Sequence, residues 1–226
     1  MIGGSVEQAQ VRYNERVNLM NWYDLITPLY DVAIRSLYEP YRKMMIQKLD
    51  LRDGDSVLDL GCGSGLNFEP IMAEIGPQGI LIGVDLSAKM LARAQKVVNQ
   101  NGWENVRLFQ QDVRRLDAAG FEALMGADVP IDNILCTLGM SVFPDWRVVF
   151  DKTYSLLKSG GKYGLMDLFN SDDTFSTRLI NVLASSEISR PVWEPLQARC
   201  VDYHEEQHKA MRHGSDVIVI ATGTKS

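Results

Sequence analysis

The sequence predicts an α/β fold wound around a mostly parallel sheet, with helices on both faces. Three observations predict it. From Val57 onward, short apolar runs of strand length alternate with segments of helical periodicity, the pattern of consecutive βαβ units. The first run ends in a glycine-rich turn, Gly61-Cys62-Gly63-Ser64-Gly65, and the second ends in a carboxylate, Asp85. Helix punctuation falls between the runs: Gly76-Pro77 as a stop, Ser87 where an N-cap belongs, and Gly102 as a C-terminal glycine.

Taken in order, residues 8–49 read as helices ahead of the first strand and carry two aromatic-acid pairs, Tyr23-Asp24 and Tyr30-Asp31. The first strand is expected at 56–60. A helix follows with Leu66, Ile71, Met72 and Ile75 on one side. The second strand is expected at 80–85. The next helix presents Met90, Leu91, Ala94, Val97 and Val98 at helical spacing. Further strands are expected at 106–109 and 133–138. A helix over about 146–157 ends at Ser159-Gly160-Gly161, ahead of a strand at 163–168. A helical insert near 177–186 and a closing strand at 216–221 complete the pattern. The chain of 226 residues is long enough for one buried core, and one domain over 1–226 is expected, with 8–49 as an N-terminal helical lid and 50–226 as the core.

A net charge of −6 and the lack of any basic run argue against nucleic acid as a partner. No window approaches the roughly 18 apolar residues of a spanning helix, and the first 20 residues lack a signal-peptide core, so a cytoplasmic protein is expected. Cys62, Cys136 and Cys200 are too far apart in sequence to suggest a disulfide framework or a zinc site.

The glycine turn carries the chemistry. Glycines after a strand permit positive φ and let a ligand approach the backbone. A dinucleotide fingerprint requires Gly-x-Gly-x-x-Gly, whereas here Gly65 follows Ser64 directly. Asp59 stands just before the first glycine. A carboxylate there suits a ligand carrying an ammonium and a sulfonium, and it repels a pyrophosphate. Asp85 ends the second strand, where it can accept hydrogen bonds from two ribose hydroxyls.

Leu58-Asp59-Leu60-Gly61-Cys62-Gly63-Ser64-Gly65, followed by Gly83-Val84-Asp85-Leu86-Ser87, resembles the first two motifs of class I S-adenosylmethionine-dependent methyltransferases. Gln111-Asp112-Val113, Cys136-Thr137-Leu138 and Leu157-Lys158-Ser159-Gly160-Gly161-Lys162 fit later segments in order, so the likeness spans roughly residues 50–170. It implies a Rossmann-like sheet of seven strands with an antiparallel closing strand. It also implies roles. Gly61, Cys62, Gly63, Gly65 and Asn67 belong to the cofactor turn. Asp59 orients the cofactor's amino end, and Asp85 holds the ribose hydroxyls. Leu86 and Met90 pack on adenine, while Asp112 and the Val113 N–H read its edge. The Thr137 carbonyl faces the methionine ammonium. The bland alternatives are capping by Asp85 and Asp112, and core packing by Met90.

Leu138-Gly139-Met140-Ser141-Val142-Phe143-Pro144-Asp145-Trp146, with the early Tyr-Asp pairs, is similar to bacterial phosphatidylethanolamine and homoserine-lipid N-methyltransferases. More loosely, the chain is similar to ubiquinone and menaquinone C-methyltransferases. This likeness implies a small-molecule or lipid-headgroup amine as acceptor, with Tyr23, Tyr30, Ser141 and Trp146 around it, and it is compatible with peripheral membrane contact. Two alternatives stay open: a quinone C-methyltransferase and a non-catalytic S-adenosylmethionine binder. No Asn-Pro-Pro-Tyr follows the fourth strand, which counts against DNA-base or glutamine amines. His204-Glu205-Glu206-Gln207-His208 matches a zinc-protease pattern that works only on a helix. A strand is expected there, which separates the two histidines by about 13 Å, so no metal is expected.

Overall fold

A computed structural model describes residues 37–126, 129–170, 187–210 and 216–226. Among them, helix α1 covers 37–49. It leads into β1 (Ser56–Leu60), α2 (Phe68–Ile75), β2 (Ile80–Asp85), α3 (Ala88–Asn101) and β3 (Val106–Gln110). A 3₁₀ turn (Val113–Arg115), α4 (Ala118–Met125), β4 (Ile131–Thr137), α5 (Trp146–Leu156) and β5 (Leu157–Phe169) follow. The chain closes with α6 (Glu194–Arg199), β6 (Cys200–Lys209) and β7 (Val217–Lys225).

The strands form one seven-stranded sheet in the order β3-β2-β1-β4-β5-β7-β6. Neighbours from β3 through β5 pair parallel. β7 runs antiparallel to both β5 and β6. Every residue of β1 is buried, as expected for a strand covered on both faces. Alternation then sorts the core into two layers. Val57, Leu81, Leu135 and Met166 pack with α1, α2 and α3. Leu58, Leu60, Ile82, Ile134 and Leu165 pack with α4, α5 and α6. The chain order reverses between β1 and β4, so a crevice opens beyond the C-terminal ends of those two strands.

Helix α1 lies deep in one layer. Met45 and Leu49 have no exposure, and a Cβ on Gly164 of β5 would meet Met45 Sδ at 2.8 Å and Leu49 Cδ2 at 3.0 Å. A glycine in mid-strand here makes room for a helix. Residues 37–49 are therefore a core layer rather than part of a cover. The remainder of the expected lid, with Tyr23 and Tyr30, lies outside the described residues, as does the helical insert expected near 177–186.

Other boundaries moved for physical reasons. The helix at 118–125 was not expected, because it buries only Phe121 and shows little apolar periodicity. β5 begins at Leu157, so Ser159-Gly160-Gly161 lies within the strand, where the pairing with β4 is irregular between Ile131 and Asn133. β7 runs on to Lys225. His204 and His208 do lie in a strand, β6, in register with Thr222 and Ile218 of β7.

Candidate active site

The crevice is built from the turns that leave β1 and β4. In the β1 turn Gly61, Gly63 and Gly65 have φ of 65°, 56° and 83°, a region that side chains with a Cβ rarely adopt. A Cβ on Gly63 would meet nothing within 4 Å, so the turn opens onto free space there. A Cβ on Gly65 would collide with Phe68 Cδ2 at 2.8 Å. Cys62 is buried, and burial pushes its thiol well above the ordinary range. It acts as a small packing residue, close to the space that a Cβ on Gly83 would take.

Asp85, at the end of β2, accepts the Gly63 N–H at 2.8 Å and the Ser87 N–H at 2.8 Å. Burial raises its pKa, partly offset by these hydrogen bonds. The carboxylate thus ties the glycine turn to the neighbouring strand. The cap of α3 itself is Ser87, which accepts the Met90 N–H at 3.3 Å. Leu86 is 37% exposed beside half-buried Met90, an apolar edge left open next to Asp85.

Asp112 caps the 3₁₀ turn through the Arg114 N–H and receives the Arg114 Nε at 3.0 Å on both oxygens. Burial pushes its pKa up, but the Arg114 hydrogen bonds outweigh this and hold it below the usual carboxylate range. The capping role foreseen as an alternative for Asp112 is present. Val113 beside it is buried.

Asp59 has no exposure. It accepts from Asn67 Nδ2 at 3.2 and 3.0 Å, and the same amide nitrogen donates to Thr137 Oγ1 at 3.0 Å. Burial raises the Asp59 pKa to about 7, against the pull of Asn67 and Arg42. Asp59, Asn67 and Thr137, predicted as cofactor residues, are thus brought together. Arg42 was not singled out in the sequence. Its signal was faint, a charged residue at a position where α1 should be apolar.

Beyond β4, Leu138 adopts a left-handed φ of 55°, a conformation costly for a branched side chain. Its N–H donates to the Met166 carbonyl at 2.7 Å. Ser141 is buried, and both its N–H and its hydroxyl donate to Asp167 at 2.8 Å. Its hydroxyl donates there, so Ser141 anchors the loop. Trp146 is also buried, in the core layer under α5, with the Arg147 guanidinium 4.3 Å from its ring centre. Phe143 reaches into the crevice, because a Cβ on Gly61 or on Gly139 would meet its Cζ at 3.2 or 3.3 Å. Arg190 fixes this loop by donating to the Phe143 carbonyl at 2.7 Å.

The donor set fits an adenosyl amino acid. It offers a carboxylate at the end of β2 beside the turn, an open apolar edge, a turn that admits backbone approach, and a buried polar cluster of Asp59, Asn67 and Thr137. Residues 57–161 match the model of a methyltransferase domain. An arsenite methyltransferase of Halobacterium salinarum is 31% identical over 51% of this chain and 27% of that protein. A demethylmenaquinone methyltransferase of Lactobacillus johnsonii is 32% identical over 56% of this chain and 49% of that protein. The chain therefore spans about half, or less, of the length of these curated relatives. A Haemonchus contortus phosphoethanolamine N-methyltransferase, solved with phosphomonomethylethanolamine and S-adenosylhomocysteine, superposes with a TM-score of 0.66 at 14% identity, covering 82% of this chain and 52% of that one. Among the described residues no helix is long and apolar enough to cross a membrane. Residues 57–161 are thus similar to a methyltransferase domain, and they lie within a Rossmann-like sheet of seven strands.

Proposed function

We propose that the chain binds S-adenosylmethionine at the β1 turn and transfers its methyl group to an amine of a small molecule or lipid headgroup. The cofactor supplies a methyl group already activated by a sulfonium. What the protein adds is alignment of the acceptor for in-line displacement in a dry crevice. In this reading the glycine turn lets the backbone pass the methionine part, and Asp85 takes the ribose hydroxyls. Leu86 and Met90 cover adenine, and the Asp112–Val113 segment meets its edge. The single observation that carries the reading is the Asp85 carboxylate bonded to Gly63 N at 2.8 Å. It fixes an acceptor group beside the open face of the turn.

The amine is favoured over other acceptors by the state of the nearby acids. Asp59, Asp85 and Asp167 are each hydrogen-bonded by the protein. A neutral amine attacks without a base in the transition state, whereas a carbon or phenol acceptor wants one nearby. The Phe143 ring adds an aromatic surface that suits a cationic product. Tyr23 and Tyr30 belong to the acceptor side of this reading. Residues 8–36 would close the pocket, and 1–226 would act as one unit.

A quinone C-methyl transfer is the second reading, favoured by the demethylmenaquinone relative. Arsenite fits poorly. Soft As(III) wants converging thiolates, but Cys62 and Cys136 pack in opposite layers of the core, and burial pushes both thiols well up. The test is transfer of labelled methyl groups to a panel of amines, aminolipids and quinols. Label on quinols alone would overturn the amine reading, and label on none of them, with cofactor bound, would leave a binding protein.

A further inference from the structure

The loop beyond β4 is held at two points. Asp167 holds it at Ser141. The second hold lies further along the loop, at Phe143, and comes from a segment outside the matched stretch 57–161. Arg190 Nη1 donates to the Phe143 carbonyl at 2.7 Å and to the Ser141 carbonyl at 3.3 Å. Its Nε and Nη2 meet the two carboxylate oxygens of Glu187 at 2.9 and 2.6 Å, fork on fork. The Glu187 N–H closes the latch by donating to the Ser141 carbonyl at 3.0 Å. The Arg190 side chain is only 14% exposed, so the latch is largely shielded from water.

Phe143 is where this latch acts. Pro144 follows it and keeps Phe143 out of the helical region, and α5 begins beyond, at Trp146. The Phe143 carbonyl thus lies outside the α5 ladder and is available to Arg190. The ring itself reaches across the crevice. Its Cζ would stand 3.2 Å from a Cβ on Gly61 in the β1 turn and 3.3 Å from a Cβ on Gly139 in the β4 turn. One ring therefore lies against both lips of the opening between β1 and β4, the neighbours at which chain order reverses.

We infer that Phe143 selects the group that is transferred, and that Arg190, tied to Glu187, is the positioning residue that holds the ring in place. The inference rests on the cofactor reading above. In that reading the methionine part of the cofactor passes the β1 turn, and the acceptor lies on the side of the 138–146 loop. The transferred group then passes from one turn to the other, across the space that the ring spans. A ring packed against both turns admits a small group and resists a larger one, because close-packed side chains make room only by shifting their neighbours. The latch adds to that resistance, since displacing the Phe143 backbone breaks a hydrogen bond from a charged donor. The ligand that fits is a sulfonium carrying a methyl group, and a longer alkyl chain on the same sulfur is rejected.

Calorimetry on the full chain tests this with S-adenosylmethionine and its S-ethyl analogue, each read against S-adenosylhomocysteine, which lacks the third substituent on sulfur. The wild type should bind S-adenosylmethionine at least about tenfold more tightly than the ethyl analogue. Phe143→Ala should shrink that preference to about threefold or less. Arg190→Met should shrink it by at least about threefold, and Arg190→Lys, which keeps the charge but not the fork, should fall between. An Arg190→Met protein with a lower Tm but the wild-type preference would make the arginine merely structural and overturn its positioning role. If Arg190→Met does not fold, Glu187→Gln loosens the same latch from a half-exposed site, and an unchanged preference there overturns that role equally. A wild type indifferent to the ethyl group, or a Phe143→Ala protein with the wild-type preference, would overturn the role of Phe143. A wild type that binds neither S-adenosylmethionine nor S-adenosylhomocysteine would remove the cofactor reading itself.

Discussion

Asp59 makes cofactor affinity depend on pH in a range where most carboxylates are silent. Burial holds its pKa at about 7 in the free protein, so at pH 6 roughly nine molecules in ten carry a neutral Asp59. In the role that the family resemblance implies for Asp59, the cofactor ammonium pairs with the ionised form. Binding must then expel that proton, and affinity should fall by about tenfold, or about 1.4 kcal/mol, for each pH unit below the free pKa. Stability runs the other way. A carboxyl whose folded pKa is raised holds more protons folded than unfolded, so the free protein loses stability as pH rises from about 4 to about 7. Asp167, raised by burial to about 6, adds in the same direction. Titration calorimetry of S-adenosylhomocysteine between pH 5.5 and 7.5, in buffers of different ionisation enthalpy, reads both affinity and proton release. Close to one proton should be released at pH 6. Asp59→Asn should flatten the profile. A wild-type affinity that does not change over this range, or a slope that survives in Asp59→Asn, would refute the reasoning.

Asp85→Ala should weaken S-adenosylhomocysteine binding by about 2–3 kcal/mol, through loss of a charged acceptor. It should also lower Tm, because it frees the Gly63 and Ser87 N–H groups; normal binding in calorimetry would reduce Asp85 to a structural clamp. Gly65→Ala should destabilise the fold by about 1–3 kcal/mol, since φ is 83° and Phe68 stands 2.8 Å from the new Cβ; a neutral Tm would show that the turn relaxes freely. Tyr163→Phe should cost about 1 kcal/mol in urea unfolding, because Thr153 Oγ1 loses a partner at 2.9 Å in a site with no exposure. Chelators should leave methyl transfer unchanged, because β6 is a strand that holds His204 and His208 four residues apart; loss in EDTA reversed by zinc would overturn this.

The centre of the parallel half was legible because β1 and β2 are largely buried and mostly apolar. β1 and β2 match expectation to the residue. The other elements were harder for reasons visible in their side chains. α4 buries a single phenylalanine, so it has no stripe to find. α1 was expected as part of a cover because it lies ahead of the first strand. In fact Arg42 itself lies in the buried stripe with Tyr38, Met45, Ile46 and Leu49. Asp85 and the glycines were legible because their chemistry requires particular residue types at particular offsets. The commitment of Ser141 to Asp167 was not legible, because the partners lie 26 positions apart and meet only once β4 and β5 are paired. Phe143 stood in the sequence only as part of the 138–146 stretch; its place beside Gly61 follows a left-handed turn at Leu138, which no residue preference predicts.

The two turns that frame the crevice are held by the same device. β1 and β4 lie side by side at the point where strand order reverses. Each passes into a turn whose backbone N–H is accepted by a carboxylate on the next strand outward. Asp85 on β2 holds Gly63 N, and Asp167 on β5 holds Ser141 N, each at 2.8 Å. Both carboxylates have raised pKa values for the same first reason, burial, so each is held in place at a cost in solvation. The cost is unequal in purpose. Asp167 is 3% exposed and spends its oxygens on the loop at Ser141 and on the Leu168 N–H of its own strand. Asp85 is only partly buried and stands beside exposed Leu86, with lone pairs left to offer. A pair of clamps of this kind fixes the turns before any ligand arrives, which lowers the ordering cost of binding. In the proposed reading it is the clamp on the β2 side that keeps a surface for the ligand. The β5 clamp instead sets where Phe143 stands, and through Phe143 the width of the space above Gly61.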